Sequence, residues 1–331
     1  MRKQTILIAG LSAASLALTA CGGVSNTTGG DDGGDYPSGT VEMLVGADPG
    51  GSSDLISRAV SKGLSDELGA SFPVVNKSGS NGALAAADLA KAEPDGSTIA
   101  IQNASLFAIT PLAVAENEVT NIDDFDVIQG VSRDDYVMVT NPDSGIASVD
   151  DLKAASGKIT FGTSGVGTGS QLSCALLLGS AGAEGEAVPF DGGAPALTAL
   201  LGGQVDTACL QIGEAIENIE SDKIVPLAVF GSERVEYLPD VPTAKEQGLD
   251  VEVAQYRFMT VPKGTPEDVT DTIIEGMQAT FETEEYQAFN EQNNLTPMEI
   301  SGDEVVAQLE KDKQRYADLV EEYGIDLGDA S

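Results

Sequence analysis

The chain has no histidine and no tryptophan, only three cysteines, and 17 lysines and arginines against 53 aspartates and glutamates. Without histidine there can be no Ser-His-Asp triad and no imidazole-ligated metal. The shortage of cations leaves a net charge of −36, which makes nucleic acid and anionic membrane surfaces poor partners. The acidic residues are dispersed rather than set at a calcium-loop spacing, so they read as a solubilising surface, and neither a metal nor a cofactor is expected. Beyond the N-terminus no apolar run reaches the length of a membrane-spanning helix. A Ser-Lys nucleophile, with Lys77 or Lys158 approaching a loop serine, stays formally open.

What the N-terminus does contain is a basic pair, Arg2 and Lys3, followed by the short apolar segment ILIAGLSAASLALTA and then Cys21. Residues 1–20 read as a signal peptide. Leu18-Thr19-Ala20-Cys21 resembles a bacterial lipoprotein cleavage box, which implies a lipid on the Cys21 sulfur. A plain secretory signal with an incidental cysteine is the other reading. Residues 21–39, rich in glycine, aspartate and threonine, read as a disordered tether. If Cys21 is lipidated, Cys174 and Cys209 form an even pair in an oxidising compartment, and they read either as a bridge or as two reduced buried thiols.

The remaining residues alternate strand and helix signals. Val41, Met43 and Val45 share a strand face, and Leu55, Ile56, Ala59, Val60, Leu64 and Leu68 recur at helical spacing. Phe72 to Val75, Gly82 to Ala92 and Thr98 to Gln102 continue the series as strand, helix and strand. A second series runs from Ile159 to Phe230. The pattern predicts two doubly wound α/β domains, with domain 1 formed by 40–140 plus 262–331 and domain 2 by 141–255. Residues 136–141 and 255–261 are expected to be two hinge strands. Thr265-Pro266-Glu267 and the Ser301/Glu304 pair mark the starts of C-terminal helices, which are expected to pack on domain 1.

Two glycine-rich turns stand at matched places, each between a strand end and a helix start. The first holds Pro49, Gly50, Gly51, Ser52, Ser53 and Asp54; the second holds Thr163, Ser164, Gly165, Val166, Gly167 and Thr168. Each offers unpaired amides and hydroxyls at a helix N-terminus, half of an anion site. In doubly wound domains such turns lie where ligands bind. Neither is a nucleotide loop: Ser170 occupies the last glycine position of the dinucleotide fingerprint, and the P-loop lysine is missing. Gln102, Asn103, Gln211 and Arg257 complete the expected ligand-binding set. Arg257 is read either as a partner for a second ligand carboxylate or as half of a structural ion pair.

The blocks VEMLVGADPGGSSDLISRAVSKGLSDELG, VVNKSGSNGALAAADLAKAEPDGSTI, ITFGTSGVGTGSQL, GGAPALTALLGGQVD and VPKGTP together resemble, in order, the substrate-binding proteins of tripartite tricarboxylate transporters. The resemblance spans Val41 to the C-terminus. It implies a fold like that of type II periplasmic binding proteins and capture of a small carboxylate between the two turns, partly through water. It also implies delivery to a permease with one large and one small subunit, and no catalysis. Four positions depart from the family pattern: Asp48 for an apolar residue, Gln171 for histidine, Asp191 for a basic residue and Tyr256 for tryptophan. These leave the far end of the ligand undefined, and Asp48 or Asp191 would suit an amine. The expectation is a monomeric receptor, lipid-anchored on the outer face of the cytoplasmic membrane. A ligand-sensing surface lipoprotein and a histidine-free hydrolase are the alternatives.

Overall fold

The computed structural model describes residues 36–328. The signal segment, Cys21 and the tether as far as residue 35 lie outside the described residues. Tyr36, expected within the tether, already belongs to the folded body: its hydroxyl donates to the Gly96 carbonyl at 2.9 Å, and its ring packs on a buried cluster that includes Val41 and Met43.

The first series comprises β1 (Glu42–Val45), α1 (Ser52–Leu68), β2 (Val74–Asn76), α2 (Ala83–Leu89), β3 (Thr98–Asn103) and α3 (Ala104–Ala108). A long strand, β4 (Phe125–Thr140), leads to α4 (Val149–Ala154), β5 (Ile159–Thr163), α5 (Gly169–Ser180), β6 (Gly185–Pro189) and α6 (Gly193–Leu201). Then come β7 (Thr207–Gln211), α7 (Ile212–Glu220), β8 (Val225–Val229), β9 (Ala254–Pro262), α8 (Glu267–Phe281), α9 (Glu284–Gln292), β10 (Thr296–Pro297) and α10 (Gly302–Tyr323).

The strands run in the order β2-β1-β3-β9-β4-β7-β5-β6, with β8 and β10 also paired to β4. β1 is parallel to β2 and β3, and β5 is parallel to β6 and β7. The fold is therefore α/β, with two parallel blocks and antiparallel strands between them. β4 belongs to both blocks. Residues 125–135 pair with β9, and 136–140 pair with β7 and β8. The strand changes sheet between Asp135 and Tyr136, at the start of the expected 136–141 crossing. β9, expected to be the second crossing, instead lies wholly in the first sheet, between β3 and β4. The return is made ahead of it, where the Val253 amide donates to the Phe230 carbonyl at 3.1 Å.

Apolar spacing explains the helix packing. Ile56, Val60 and Leu64 of α1 are buried against Ile273, Met277 and Phe281 of α8, and a close approach holds the two together, since a β-carbon on Gly63 would overlap Thr280. α8 thus packs on the first block, as expected. α10 does more: Val305, Leu309 and Tyr316 share a buried cluster with Tyr136 and Met138 of β4 and with Leu172 and Leu176 of α5. The Ser301/Glu304 capping box is present. Thr265 is not the cap of α8; its hydroxyl donates to the Pro262 carbonyl at 2.8 Å, and Pro266 takes the cap position. No helix among the described residues is long and apolar enough to cross a membrane.

Candidate functional site

The turns of interest all leave the carboxyl ends of parallel strands, where helix N-termini aim their free amides across the sheet edge. In the first turn, Asp48, Pro49 and Gly50 are exposed and Gly51 caps α1 with no side-chain acceptor. The amides of Ser52, Ser53 and Asp54 consequently find no acceptor among the described residues. Asp54 does not face outward. It is buried, and its carboxylate accepts from the Gly50 amide at 2.8 Å, from Arg58 Nε and Nη2 at 2.9 Å each and from Asn76 Nδ2 at 2.8 Å. Burial pushes its carboxyl up, but the bonds from Arg58, Gly50 and Asn76 outweigh that and hold it below the usual aspartate range.

In the second turn, side chains of the turn itself take several amides: Ser164 N–H donates to Ser170 Oγ, Gly165 N–H to Thr163 Oγ1 and Gly167 N–H to Gln171 Oε1. Gly165 and Gly167 have φ of 136° and 68°, a region that favours glycine. Thr168 caps α5 by accepting from the Gln171 amide and donating to the Gly165 carbonyl. The Ser164 hydroxyl, half-buried, makes no hydrogen bond among the described residues. Val166 is exposed at the tip. Gln171, which departs from the family pattern, spans the turn by donating to the Leu327 carbonyl at 2.8 Å.

Asn81 and Thr110 connect the two halves. Gly46 and Gly82 meet backbone to backbone, since a β-carbon at Gly46 would fall on the Gly82 Cα, and this packs the segment that carries Asn81, just before α2, against the end of β1. Asn81 Nδ2 lies 3.2 Å from the Gly167 carbonyl, and Thr110 Oγ1 donates to the same oxygen at 3.1 Å. Neither residue is singled out by the sequence.

At the floor stands an ion pair. Arg257 on β9, 2 % exposed, donates through Nη1 to Asp134 of β4, through Nε to Ser53 Oγ at 2.8 Å and through Nη2 to the Gln211 amide oxygen at 2.9 Å. Gln211 and the Ser52 hydroxyl both donate to Asp134 Oδ2, each at 3.2 Å. Arg257 thus forms a buried ion pair, one of the two roles expected for it, with each of its three guanidinium nitrogens hydrogen-bonded. Ser52 has its hydroxyl occupied as well, whereas the Ser53 hydroxyl accepts and keeps its own hydrogen to donate.

Gln102 and Asn103 do not join this group. Gln102 is buried between strands and donates to Thr260 Oγ1 at 2.9 Å, and Asn103 caps α3 while donating to the Asn81 carbonyl. Asp191 is exposed, and Tyr256 is buried with its hydroxyl donating to Asp312 at 3.0 Å. A disulfide joins Cys174 of α5 to Cys209 of β7, with 5.6 Å between the Cα atoms. It fastens the helix behind the second turn to its sheet. A cavity of about 390 Å³ lined by Ile219, Ile224, Tyr237 and Leu238 includes none of the turn residues.

The sequence also left Glu214 unnoticed. It lies one turn into α7, just past the carboxyl end of β7, so the rule that drew attention to the glycine turns would have found it. Burial, and then the charge of Asp134, push its carboxyl up to about 7.

The comparisons agree with this architecture. The family described as tripartite tricarboxylate transporter family receptor matches residues 56–325. A protein of Agrobacterium vitis, described as a UPF0065 protein in the TAR-I ttuE-ttuC' intergenic region, is 34 % identical over 251 residues, covering 73 % of this chain and 71 % of its own. Protein BugT of Bordetella pertussis is 30 % identical over 306 residues, covering 88 % of this chain and 91 % of its own. Among solved structures, R. palustris Rpa4515 with adipate superposes with a TM-score of 0.82 at 26 % identity, over 88 % of this chain and 99 % of that one. The chain belongs to the receptors of the tripartite tricarboxylate transporter family.

Proposed function

We propose that this protein is a non-catalytic solute receptor that holds a small carboxylate between the turns at Ser52–Asp54 and Ser164–Thr168. The observation that carries the reading is the set of unpaired donors in these turns: the amides at the start of α1, the Ser53 hydroxyl and the Ser164 hydroxyl. The adipate-bound relative supports the ligand class. Family membership supports delivery to a permease of one large and one small subunit. The Leu18-Thr19-Ala20-Cys21 box supports a lipid anchor on the outer face of the cytoplasmic membrane, with the protein otherwise monomeric. Retention of a Cys21→Ser protein in the membrane fraction would remove the anchor from this account.

Mass spectrometry of small molecules released on denaturation, followed by titration calorimetry, tests the function. The released compound should carry a carboxylate and be recovered unchanged after incubation with the protein. A hydrogen bond to a charged group is worth roughly 1.5–3 kcal/mol, so Ser164→Ala should weaken binding on the order of ten- to a hundredfold. Ser52→Ala should cost less, because that hydroxyl serves Asp134. Turnover of the ligand, or wild-type affinity in Ser164→Ala, would count against the proposal.

A further inference from the structure

The cations around the floor each serve an acidic partner, whereas two of the acids keep carboxylate oxygens with no hydrogen-bond donor among the described residues. Arg257 is held by Asp134, Ser53 and Gln211; Arg58 by Asp54; and Arg133 donates to Asp135 at 3.3 Å. Asp134, by contrast, is 4 % exposed and leaves its buried Oδ1 without a hydrogen-bond partner. Glu214, half-buried, stands with its carboxylate against Gly193 at the start of α6, where a β-carbon would overlap it. It lies close enough to Asp134 and Arg257 to feel both charges. A second carboxylate on a ligand would meet two acids here, beside cations that already serve acidic partners of their own.

We propose that Glu214, backed by Asp134, sets specificity at the far end of the ligand, favouring a monocarboxylate that carries an ammonium group, an amino-acid-like zwitterion, over a dicarboxylate. The inference rests on the small-carboxylate reading above and narrows it. An ammonium supplies donors to unpaired carboxylate oxygens in a partly desolvated site, where such bonds are strong. A second carboxylate instead adds like charge, which disfavours ionisation of one of the groups.

The charged and titratable neighbours of Glu214 are Asp134 and Tyr136 on β4 and Arg257 on β9. α6, packed on its other side, has no titratable residue, and Asp191 in the turn before it is exposed. Because Glu214 titrates near neutrality, its anionic fraction grows from about pH 6 to about pH 8. Ammonium-bearing ligands should bind more tightly over that interval and dicarboxylates less tightly.

The test is titration calorimetry of the full chain against pentanoate, glutarate, 4-aminobutanoate and 2-aminopentanoate, which keep a common length while changing the charge and its position. At least one amine should bind about tenfold or more tightly than pentanoate, and glutarate should bind more weakly than pentanoate. In Glu214→Gln the advantage of the amine should shrink, glutarate should gain and the pH trend should flatten, while Glu214→Asp should keep part of the preference. A merely structural role would weaken all four ligands alike. Glutarate or pentanoate binding as tightly as the tighter of the two amines, or a uniform change in Glu214→Gln, overturns the inference while leaving the small-carboxylate reading intact. If none of the four binds and no carboxylate is released from the purified protein, that reading falls and the inference falls with it.

Discussion

Asp54 sits in a turn whose amides suit an anion, and it avoids repelling one by facing inward. Its four hydrogen bonds fix the backbone from Gly50 through the first turn of α1. The half-exposed Arg58 adds little as an ion pair; what matters is the buried acceptor for Gly50 and Asn76. Asp54→Asn should therefore destabilise the fold by about 1–3 kcal/mol, measured by urea unfolding, because an amide cannot accept from all of these donors. The pH dependence has a definite sign. A carboxyl held below its unfolded value contributes stability that is present above about pH 4 and lost as pH falls through the folded value. Acid unfolding of the wild type should show this loss, and the Asn protein should lack that component. Equal stability of the two proteins at neutral pH would show that the turn holds itself without Asp54.

At the level of elements, periodicity made most of the fold readable. Regular apolar spacing marks α1, α8 and α10, and β1 and β5 each have a strand-like core run ahead of a glycine turn. The first half of β4, FDVIQGVS, is not legible in the sequence, because it lies in the middle of a sheet and is largely buried, so it lacks the alternation that announces a half-exposed strand. α9 carries a weak apolar stripe, with only Tyr286 and Asn290 buried. The site divides in the same way. Its glycine turns are visible in the local sequence, whereas Asp134, Asn81, Thr110 and Glu214 come from separate segments that only strand order brings together. Ser52 meets Asp134 across 82 residues, and Asn81 meets Gly167 across 86. The alternatives for Cys174 and Cys209 could not be separated without a distance between α5 and β7.

For the whole molecule the central question is motion between the parallel blocks. β4 passes through both, the chain returns just ahead of β9, and α10 packs against strands and helices of each. A pivot near Asp135 and Tyr136 would open and close the turns with little disturbance to either sheet. Small-angle scattering should show modest contraction when the tightest ligand of the calorimetric series is added, with the charge of −36 screened over about 8 Å at physiological salt. Superimposable profiles would point to a preformed site and rule out hinge closure as the capture step.

The position of Asp134 near the change of sheet in β4 has an evolutionary consequence. A substitution there would alter the ion pair with Arg257, the bond to Ser52 in the first turn and the strand through which the two blocks are joined, all at once, so it would be pleiotropic. Glu214 stands on α7, outside the strand that joins the blocks. If Glu214 sets the ligand's charge as proposed, selection would meet a less constrained position at 214 than at 134, and the joint would be inherited unchanged.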